Sequence, residues 1–204
     1  MARLLLLRHG QSVWNAEGRW QGSADPPLSA DGAAQAALAA EQLEAEQLWA
    51  VWSSPLSRAR QTAEIISARL GLGAVLLEPG LRERDVGQLS GLTTPEIEER
   101  WPGLLAEWRT GTLETLPGGE GDIRERVVGA VQRIAVASDE AGHETVLVLT
   151  HGGSLTSVEV HIGAEPSRPR NLCGRWVHWD GASLRAAEVV QFLDPGEPSV
   201  TTVL

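Results

Sequence analysis

The stretch RLLLLRHG, residues 3–10, joins four consecutive leucines directly to an arginine, a histidine and a glycine. A continuous apolar run of this kind is typical of a strand in a parallel sheet that helices cover on both faces. We therefore predict a buried strand over Leu4–Leu7. The carboxyl end of this strand presents Arg8 and His9, so that two polar side chains stand where the apolar segment stops.

Two further apolar runs have the same continuous character, and they cover Trp49–Trp52 and Thr145–Leu149. Both end in polar residues, the first in Ser53-Ser54-Pro55 and the second in Thr150-His151-Gly152-Gly153. Helical patterns lie between the three runs. This alternation of strand and helix predicts an α/β fold, a three-layer α/β/α sandwich with a mostly parallel central sheet and right-handed crossovers.

Three segments show the features of helices. In two of them apolar residues recur three and four positions apart, which gives one apolar stripe along a helix; the stripes are Leu56, Ala59, Ala63, Ile66 and Leu70, and Ile123, Val127, Ala130, Ile134 and Ala137. The alanine-rich stretch Ala33–Gln47 has high helix propensity. Asp122, with Glu125 three residues later, is expected to cap the start of the second striped helix.

The segment from about residue 87 to residue 121 interrupts this alternation, because it combines prolines, glycines and two tryptophans. We interpret it as an insertion of short helices and loops that forms a lid over the site. The tail at residues 194–204 is rich in turn formers and is expected to be peripheral. No internal repeat or linker is evident, so residues 1–204 are predicted to form a single domain.

Composition narrows the range of functions. The 204-residue chain has a formal net charge of -10, which argues against a nucleic-acid or anionic-membrane surface. The apolar run near the start is shorter than the roughly 7–15 residues of a secretory signal, and a membrane span needs about 20. The single cysteine, Cys173, excludes an internal disulfide and a thiolate metal cluster. We therefore expect a cytoplasmic protein, a monomer or homodimer, without a nucleic-acid or membrane partner.

Ligands of open α/β sheets bind beyond the carboxyl ends of the strands. If the three predicted strands are neighbours, His9, His151, Arg8 and Arg58 converge on one crevice. Guanidinium groups bind phosphate oxygens bidentately, and a neutral imidazole can attack phosphorus. Arg58 lies in the first turn of a helix, where a cation opposes the helix dipole, so we expect it to have an anionic partner. The glycine after each histidine is expected to leave its N–H free as a donor.

Several blocks of the sequence together resemble one family. In chain order they are RHGQSVWN (8–15), QG (21–22) with DPPLS (25–29), SSPLSRARQTA (53–63), LRE with Gly87 (81–87), PGGE (117–120) and THGG (150–153). These blocks resemble the signature of the histidine phosphatase superfamily, in its phosphoglycerate mutase-like branch. One short motif would be weak evidence, but ordered blocks spread over most of the chain are specific.

The resemblance implies a role for each matching residue. His9 would be the nucleophile that becomes phosphohistidine, and Glu83 would protonate the leaving oxygen and then accept a proton from water. A positioned acid of this kind accelerates reactions by about 10²–10⁴. The remaining residues would bind the phosphorylated substrate: Arg8, Asn15, Gln21, Arg58, His151 and Gly152. No spacing among the histidines resembles a zinc site, and neither a metal nor another cofactor is expected.

The chain departs from the family pattern at Leu89-Ser90-Gly91 and at Gly121, where other members often have Glu before the closing glycine and Ser after PGGE. Cofactor-dependent mutases of the family carry a lysine-bearing stretch, and this chain has no lysine at all. We therefore expect a metal-independent phosphatase of small phosphomonoesters, such as a phosphoglycerate, a glucosyl-phosphoglycerate or a sugar phosphate. A phosphoglycerate mutase and a non-catalytic phosphate-binding regulatory module remain as alternatives.

Overall fold

The computed structural model of the chain describes residues 1–167 and 169–193. Within these residues one sheet contains six strands: β1 Arg3–Arg8, β2 Ala50–Ser53, β3 Leu76–Leu77, β4 Thr145–Thr150, β5 Cys173–Trp179 and β6 Leu184–Gln191. The α-helices of the same residues are α1 Val13–Ala16, α2 Ala30–Leu43, α3 Ser57–Leu70, α4 Thr94–Arg100, α5 Leu104–Thr110, α6 Arg124–Glu140 and α7 Gly152–His161. Short 3₁₀ helices cover Glu44–Glu46, Pro79–Leu81 and Gly87–Leu89.

The sheet has the strand order β3-β2-β4-β1-β5-β6. Strands β3, β2, β4 and β1 run parallel to one another, whereas β5 pairs antiparallel with both β1 and β6. The predicted α/β class and mostly parallel sheet are therefore confirmed. The β5–β6 hairpin was not predicted, because Gly174, Arg175 and His178 interrupt the apolar pattern of β5.

The three predicted strands exist, and one of them starts later than expected. Strand β2 begins at Ala50, since Trp49 precedes the strand and leaves 58% of its surface exposed. Strands β1 and β4 each extend one residue beyond the predicted carboxyl end, so that Arg8 and Thr150 are their last residues. These two residues are register partners, which brings the ends of β1 and β4 level.

Successive leucines of β1 point to opposite faces of the sheet and build two separate cores. Leu4 and Leu6 pack in a cluster with residues of α6 and α7, whereas Leu5 and Leu7 pack in a cluster with residues of α2 and α3. All four leucines are fully buried. Burying each contributes roughly 1.5–3 kcal/mol relative to exposure, which explains why the strand is apolar on both faces.

The helices follow the predicted stripes more closely than the predicted caps. Ala59, Ala63 and Ile66 of α3 are fully buried, as the stripe indicated. The capping prediction for α6 was wrong, since the cap residue is Ile123 and makes no side-chain cap bond. Asp122 lies one residue earlier and accepts a hydrogen bond from the Arg124 N–H at 2.8 Å. It satisfies a donor of the first turn without being the cap.

Residues 87–121 contain α4, α5 and a 3₁₀ helix around a small apolar core of their own. That core is formed by Val86, Leu89, Ile97, Leu105 and Leu116, with three tryptophans packed against it, Trp20, Trp101 and Trp108. The segment therefore has the short helices that the sequence predicted. The tail prediction, for residues 194–204, lies outside the described residues. No helix of the described part of the chain is long and apolar enough to span a bilayer.

Candidate active site

Strand order brings the polar residues after β1, β2 and β4 to one edge of the sheet. Strand β4 lies between β2 and β1, and the carboxyl ends of all three point the same way. His9 and His151 meet there with ring centroids 5.2 Å apart in an edge-to-face arrangement. The three strands are therefore neighbours, as the predicted convergence of His9 and His151 required.

His9 is held through every one of its polar groups. Its backbone N–H donates to the Thr150 carbonyl at 3.1 Å, and its ring Nδ1 lies 2.6 Å from the Gly10 carbonyl. Its ring Nε2 lies 3.2 Å from Nε of Arg58, which can only donate. Nε2 must therefore accept, and Nδ1 carries the proton. This tautomer places the lone pair of the ring on Nε2, where it accepts the Arg58 N–H.

Both active-site histidines are held neutral. Burial, together with the charges of Arg58 and Arg8, lowers the pKa of His9 well below its usual range. Burial also lowers the pKa of His151 well below that range, and the same arginines add to the effect. Imidazolium is disfavoured in a buried site beside guanidinium groups, because desolvation and like charge both penalise it.

Arg58 reaches His9 from the first turn of α3. Its NH1 donates to the Ala24 carbonyl at 2.7 Å and its NH2 to the Gly22 carbonyl at 2.8 Å. Within the described residues the guanidinium binds these two carbonyls and the His9 imidazole, and the charges of Glu83 and Asp25 act on it. An anionic ligand for Arg58 stays a prediction. Burial lowers the pKa of Arg58 to about 10, so the side chain keeps its charge at neutral pH.

Arg8 approaches from the end of β1 and is 1% exposed. Its NH1 donates to the Pro169 carbonyl at 2.8 Å, which fixes the guanidinium against the loop before β5. Burial lowers the pKa of Arg8 to about 10, and the charge of Glu83 acts in the opposite direction. Two permanent cations thus lie beside two neutral imidazoles, an arrangement suited to an anionic ligand.

His151 is oriented by Ser54, which follows β2. Its Nε2 lies 2.8 Å from Oγ of Ser54, and that oxygen also accepts the Leu56 N–H at 3.3 Å. Because Oγ already accepts from the backbone, its own proton is best placed on Nε2 of the imidazole. His151 Nδ1 then carries the N–H, and this buried atom has no partner among the described residues.

Glu83 is half-buried, and its side chain contacts the start of α7. Its Oε2 accepts the Gly153 N–H at 2.9 Å, and its Oε1 accepts the Arg84 N–H at 2.9 Å. The Gly153 N–H lies in the first turn of α7, where backbone N–H groups lack partners within the helix. Gly152, the first residue of α7, is buried between His151 and this contact.

Asn15 and Gln21 are both tied to Ser12, which caps the short helix α1. Ser12 Oγ accepts the Asn15 N–H at 3.0 Å, and the Asn15 Oδ1 accepts the Ser12 N–H at 3.2 Å. The Ser12 hydroxyl donates to Oε1 of Gln21 at 2.7 Å. Both side-chain amides use their oxygens in these contacts, so their NH₂ groups are the ends that can bind an anion.

A glycine is needed after His9 for a different reason from the one expected. Its N–H is not free, because it donates to Oγ1 of Thr62 at 3.1 Å. A Cβ on Gly10 would lie 2.7 Å from the Gly32 carbonyl oxygen, and a Cβ on Gly32 would lie 1.9 Å from the Gln11 carbonyl oxygen. The two glycines let the loop after β1 pack directly on the backbone of α2.

Three polar residues of the site were not assigned roles from the sequence. Ser54 and Thr62 lie within the block at 53–63, whose polar residues other than Arg58 were passed over. Asn171 matches no quoted block, and it is fully buried with its Nδ2 2.9 Å from the His9 carbonyl oxygen. No local sequence signal indicates that contact, because it joins residues 162 positions apart.

The described residues contain no group of three or more His, Cys, Asp or Glu side chains that could hold a metal ion. Asp25, in the loop after Gln21, instead accepts hydrogen bonds from the backbone N–H and hydroxyl of Ser57, where α3 has no side-chain cap of its own. It therefore supports the helix that carries Arg58.

Residues 4–186 match the family model of the histidine phosphatase superfamily (branch 1). The metal-independent phosphoserine phosphatase of Arabidopsis thaliana is 36% identical over 167 residues, covering 79% of this chain and 69% of that protein. A 2,3-bisphosphoglycerate-dependent phosphoglycerate mutase of Methylobacterium radiotolerans is 37% identical over 166 residues, covering 78% of each. The structure of a mycobacterial glucosyl-3-phosphoglycerate phosphatase is similar with a TM-score of 0.81 at 30% identity, covering 92% of this chain and 98% of that one.

Proposed function

The chain belongs to the histidine phosphatase superfamily, and we propose that it hydrolyses small phosphomonoesters through a phosphohistidine on His9. It is a hydrolase of the phosphatase type, in keeping with its similarity to a phosphoserine phosphatase and a glucosyl-3-phosphoglycerate phosphatase. The observation that supports the proposal most directly is the neutral His9 tautomer, whose Nε2 lone pair stands 3.2 Å from the Arg58 guanidinium.

The first step transfers the phosphoryl group to His9. The Nε2 lone pair forms a bond to phosphorus while the ester P–O bond breaks, and protonated Glu83 gives its proton to the departing oxygen. The neutral imidazole is ready to attack, since its lowered pKa keeps it unprotonated near pH 7. The Nδ1 proton, held by the Gly10 carbonyl, supports the positive ring that forms.

The second step returns the enzyme to its starting state. Water attacks phosphorus, the P–N bond breaks with its electrons returning to Nε2, and the Glu83 carboxylate takes the proton of the water. Inorganic phosphate is released and His9 is again neutral. The contacts of Glu83 with the Gly153 and Arg84 N–H groups keep its carboxylate beside the site during both steps.

The phosphate oxygens would bind Arg8, Arg58 and the Nδ1–H of His151. A guanidinium about 4 Å from a phosphate oxygen contributes on the order of 4 kcal/mol at an effective dielectric of 20, before desolvation is subtracted. The Gly152 N–H and the NH₂ groups of Asn15 and Gln21 would complete the set. Because these donors are positioned before substrate arrives, they stabilise charge without reorganisation.

We also propose the remaining features that the sequence led us to expect. Residues 87–121 would form a lid over the site, the chain would be one domain, and the protein would act in the cytoplasm as a monomer or homodimer. The free thiol of Cys173, which is buried, suits a reducing compartment. The apolar core of the insertion, with Trp101 and Trp108 packed on it, suits a small organic ester.

The deciding experiment measures phosphate release in EDTA from phosphoserine, glucosyl-3-phosphoglycerate, 3-phosphoglycerate and nitrophenyl phosphate. His9→Ala and His9→Asn are assayed beside the wild type, and the wild type is tested for an acid-labile phosphohistidine. We expect release and labelling by the wild type alone. Activity in either His9 variant would remove His9 from the nucleophile role.

Two other results identify the alternatives. Labelling of His9 with transfer to a second hydroxyl and little release of phosphate would indicate a mutase, which the Methylobacterium radiotolerans relative makes the natural second candidate. Binding of phosphate with neither release nor labelling would indicate a non-catalytic phosphate-binding module.

A further inference from the structure

The peptide group that follows His9 is fixed at both of its ends. The His9 carbonyl accepts a hydrogen bond from Nδ2 of Asn171 at 2.9 Å. The N–H of the same peptide, which belongs to Gly10, donates to Oγ1 of Thr62 at 3.1 Å. Asn171 and Thr62 are both fully buried, so neither bond competes with water.

This peptide group controls the imidazole of His9. The Gly10 carbonyl, which belongs to the next peptide group along the chain, accepts the Nδ1 proton of the ring at 2.6 Å. A rotation of the His9–Gly10 peptide would move that carbonyl and release the ring. It would also remove the interaction that places the proton on Nδ1 and leaves the lone pair on Nε2.

We propose that Asn171 is a positioning residue for the nucleophile, which acts by holding the His9–Gly10 peptide together with Thr62. Its amide orientation is unambiguous, because both contacts of Nδ2 are with oxygen atoms, the His9 carbonyl and Oδ1 of Asn15 at 3.5 Å. The inference rests on the proposed function in one respect, that His9 is the group that is phosphorylated.

The backbone around Asn171 is built to keep it in place. Leu172 has a φ of 52°, a left-handed conformation that a branched, buried side chain rarely adopts. That conformation lets the Leu172 N–H donate to the Arg8 carbonyl at 3.1 Å. Three residues earlier, the Pro169 carbonyl accepts a hydrogen bond from the Arg8 guanidinium at 2.8 Å. The segment from Pro169 to Leu172 thus contacts both Arg8 and His9. The strained conformation of Leu172 is retained at the point where the segment positions these two residues.

The segment is itself anchored to α7 through a buried ion pair. Glu159 is fully buried and binds Arg175 Nε at 2.8 Å, and its other oxygen accepts the Ser167 N–H at 2.9 Å. Arg175 NH2 donates to the Glu165 carbonyl at 3.1 Å. The loop before Asn171 therefore has two fixed points, which supports a positioning role over a passive one.

The test compares Asn171→Ala and Asn171→Asp with Thr62→Val and its control Thr62→Ser, which retains the hydroxyl. Three quantities are measured: the single-turnover rate of His9 phosphorylation by nitrophenyl phosphate, the dissociation constant of inorganic phosphate, and the ¹⁵N shifts that report the His9 tautomer. We expect Asn171→Ala and Thr62→Val to slow phosphorylation roughly 10- to 100-fold. Phosphate affinity should stay within about twofold, and the ¹⁵N shift of His9 Nδ1 should move because its hydrogen bond to the Gly10 carbonyl is weakened.

Several outcomes would overturn the inference. Phosphorylation at the wild-type rate in folded Asn171→Ala, or an unchanged ¹⁵N shift of His9 Nδ1, would mean that Asn171 only fills space. A loss of phosphate affinity equal to the loss of rate would mean that it acts on the arginines instead. If the Asn171 variants do not fold, the Thr62→Val and Thr62→Ser pair tests the other end of the same peptide. If the wild type is not phosphorylated on His9, the proposed function fails, and the ¹⁵N measurement still decides the positioning claim.

Discussion

Mild acid should destabilise this protein through its two active-site histidines. His9 and His151 are 2% and 1% exposed, and burial beside two arginines lowers the pKa of each well below its usual range. In the unfolded chain both return to an ordinary pKa of about 6.5. Above that pH the histidines are neutral in both states and have no effect on the free energy of unfolding.

Below about pH 6.5 the two histidines bind protons in the unfolded chain but not in the folded protein. The free energy of unfolding therefore falls as pH falls toward the folded-state pKa values. Each histidine contributes about 1.4 kcal/mol per pH unit in this window. Together the two histidines give a slope of up to about 2.7 kcal/mol per pH unit, which is a large share of the typical stability of about 5–15 kcal/mol. Glu78, whose pKa is lowered by its hydrogen bonds to Arg133 and Gly80 against an opposing desolvation, loses its contribution only at more acidic pH.

The assay is urea unfolding followed by tryptophan fluorescence at pH values from 5 to 8. His9→Asn and His151→Asn should each reduce the slope of the unfolding free energy against pH by about half, and the double variant should abolish most of it. His161→Asn, which changes an exposed histidine, is the matched control and should leave the slope as it is. A flat profile in the wild type, or an equal slope in the double variant, would refute the assignment of neutral buried imidazoles.

Three further predictions concern substitutions at other positions. Glu83→Gln should slow esters with poor leaving groups by about 10²-fold or more and nitrophenyl phosphate far less, and equal losses on both would remove Glu83 from the acid role. Gly32→Ala should lower the unfolding free energy by about 3 kcal/mol, because its Cβ would lie 1.9 Å from a carbonyl oxygen. Gly129→Ala, in α6, where the added Cβ would make only an ordinary contact with Nη1 of Arg133 at 3.5 Å, should instead stabilise by about 0.5–1 kcal/mol, and chemical denaturation of both variants checks the contrast. Glu159→Ala should lower the unfolding free energy by about 3–5 kcal/mol, because it leaves the charge of Arg175 buried without its partner. The double variant Glu159→Leu/Arg175→Met should recover most of that loss. A thermal scan in which the double variant is the least stable would contradict this.

Much of the fold was readable from the sequence, because the patterns that encode it are local. Four consecutive leucines in a strand indicate that helices pack on both faces of the sheet. The apolar stripe of α3 indicates which of its residues face the sheet. The blocks around His9 and His151 also identified the chemistry. The prediction failed at the start of α6, where Asp122 bonds a first-turn N–H from one residue before the cap.

The strand order, the protonation of the histidines and the support of the nucleophile belong to the tertiary structure alone. His9 is neutral because Arg8, Arg58 and burial act on it together, and no stretch of sequence contains all three. The Asn171 contact joins residues 162 positions apart, across a loop whose course depends on a buried ion pair. Sequence periodicity specifies which face of an element is apolar, whereas the electrostatics of a site depend on distances that exist only after the elements have packed.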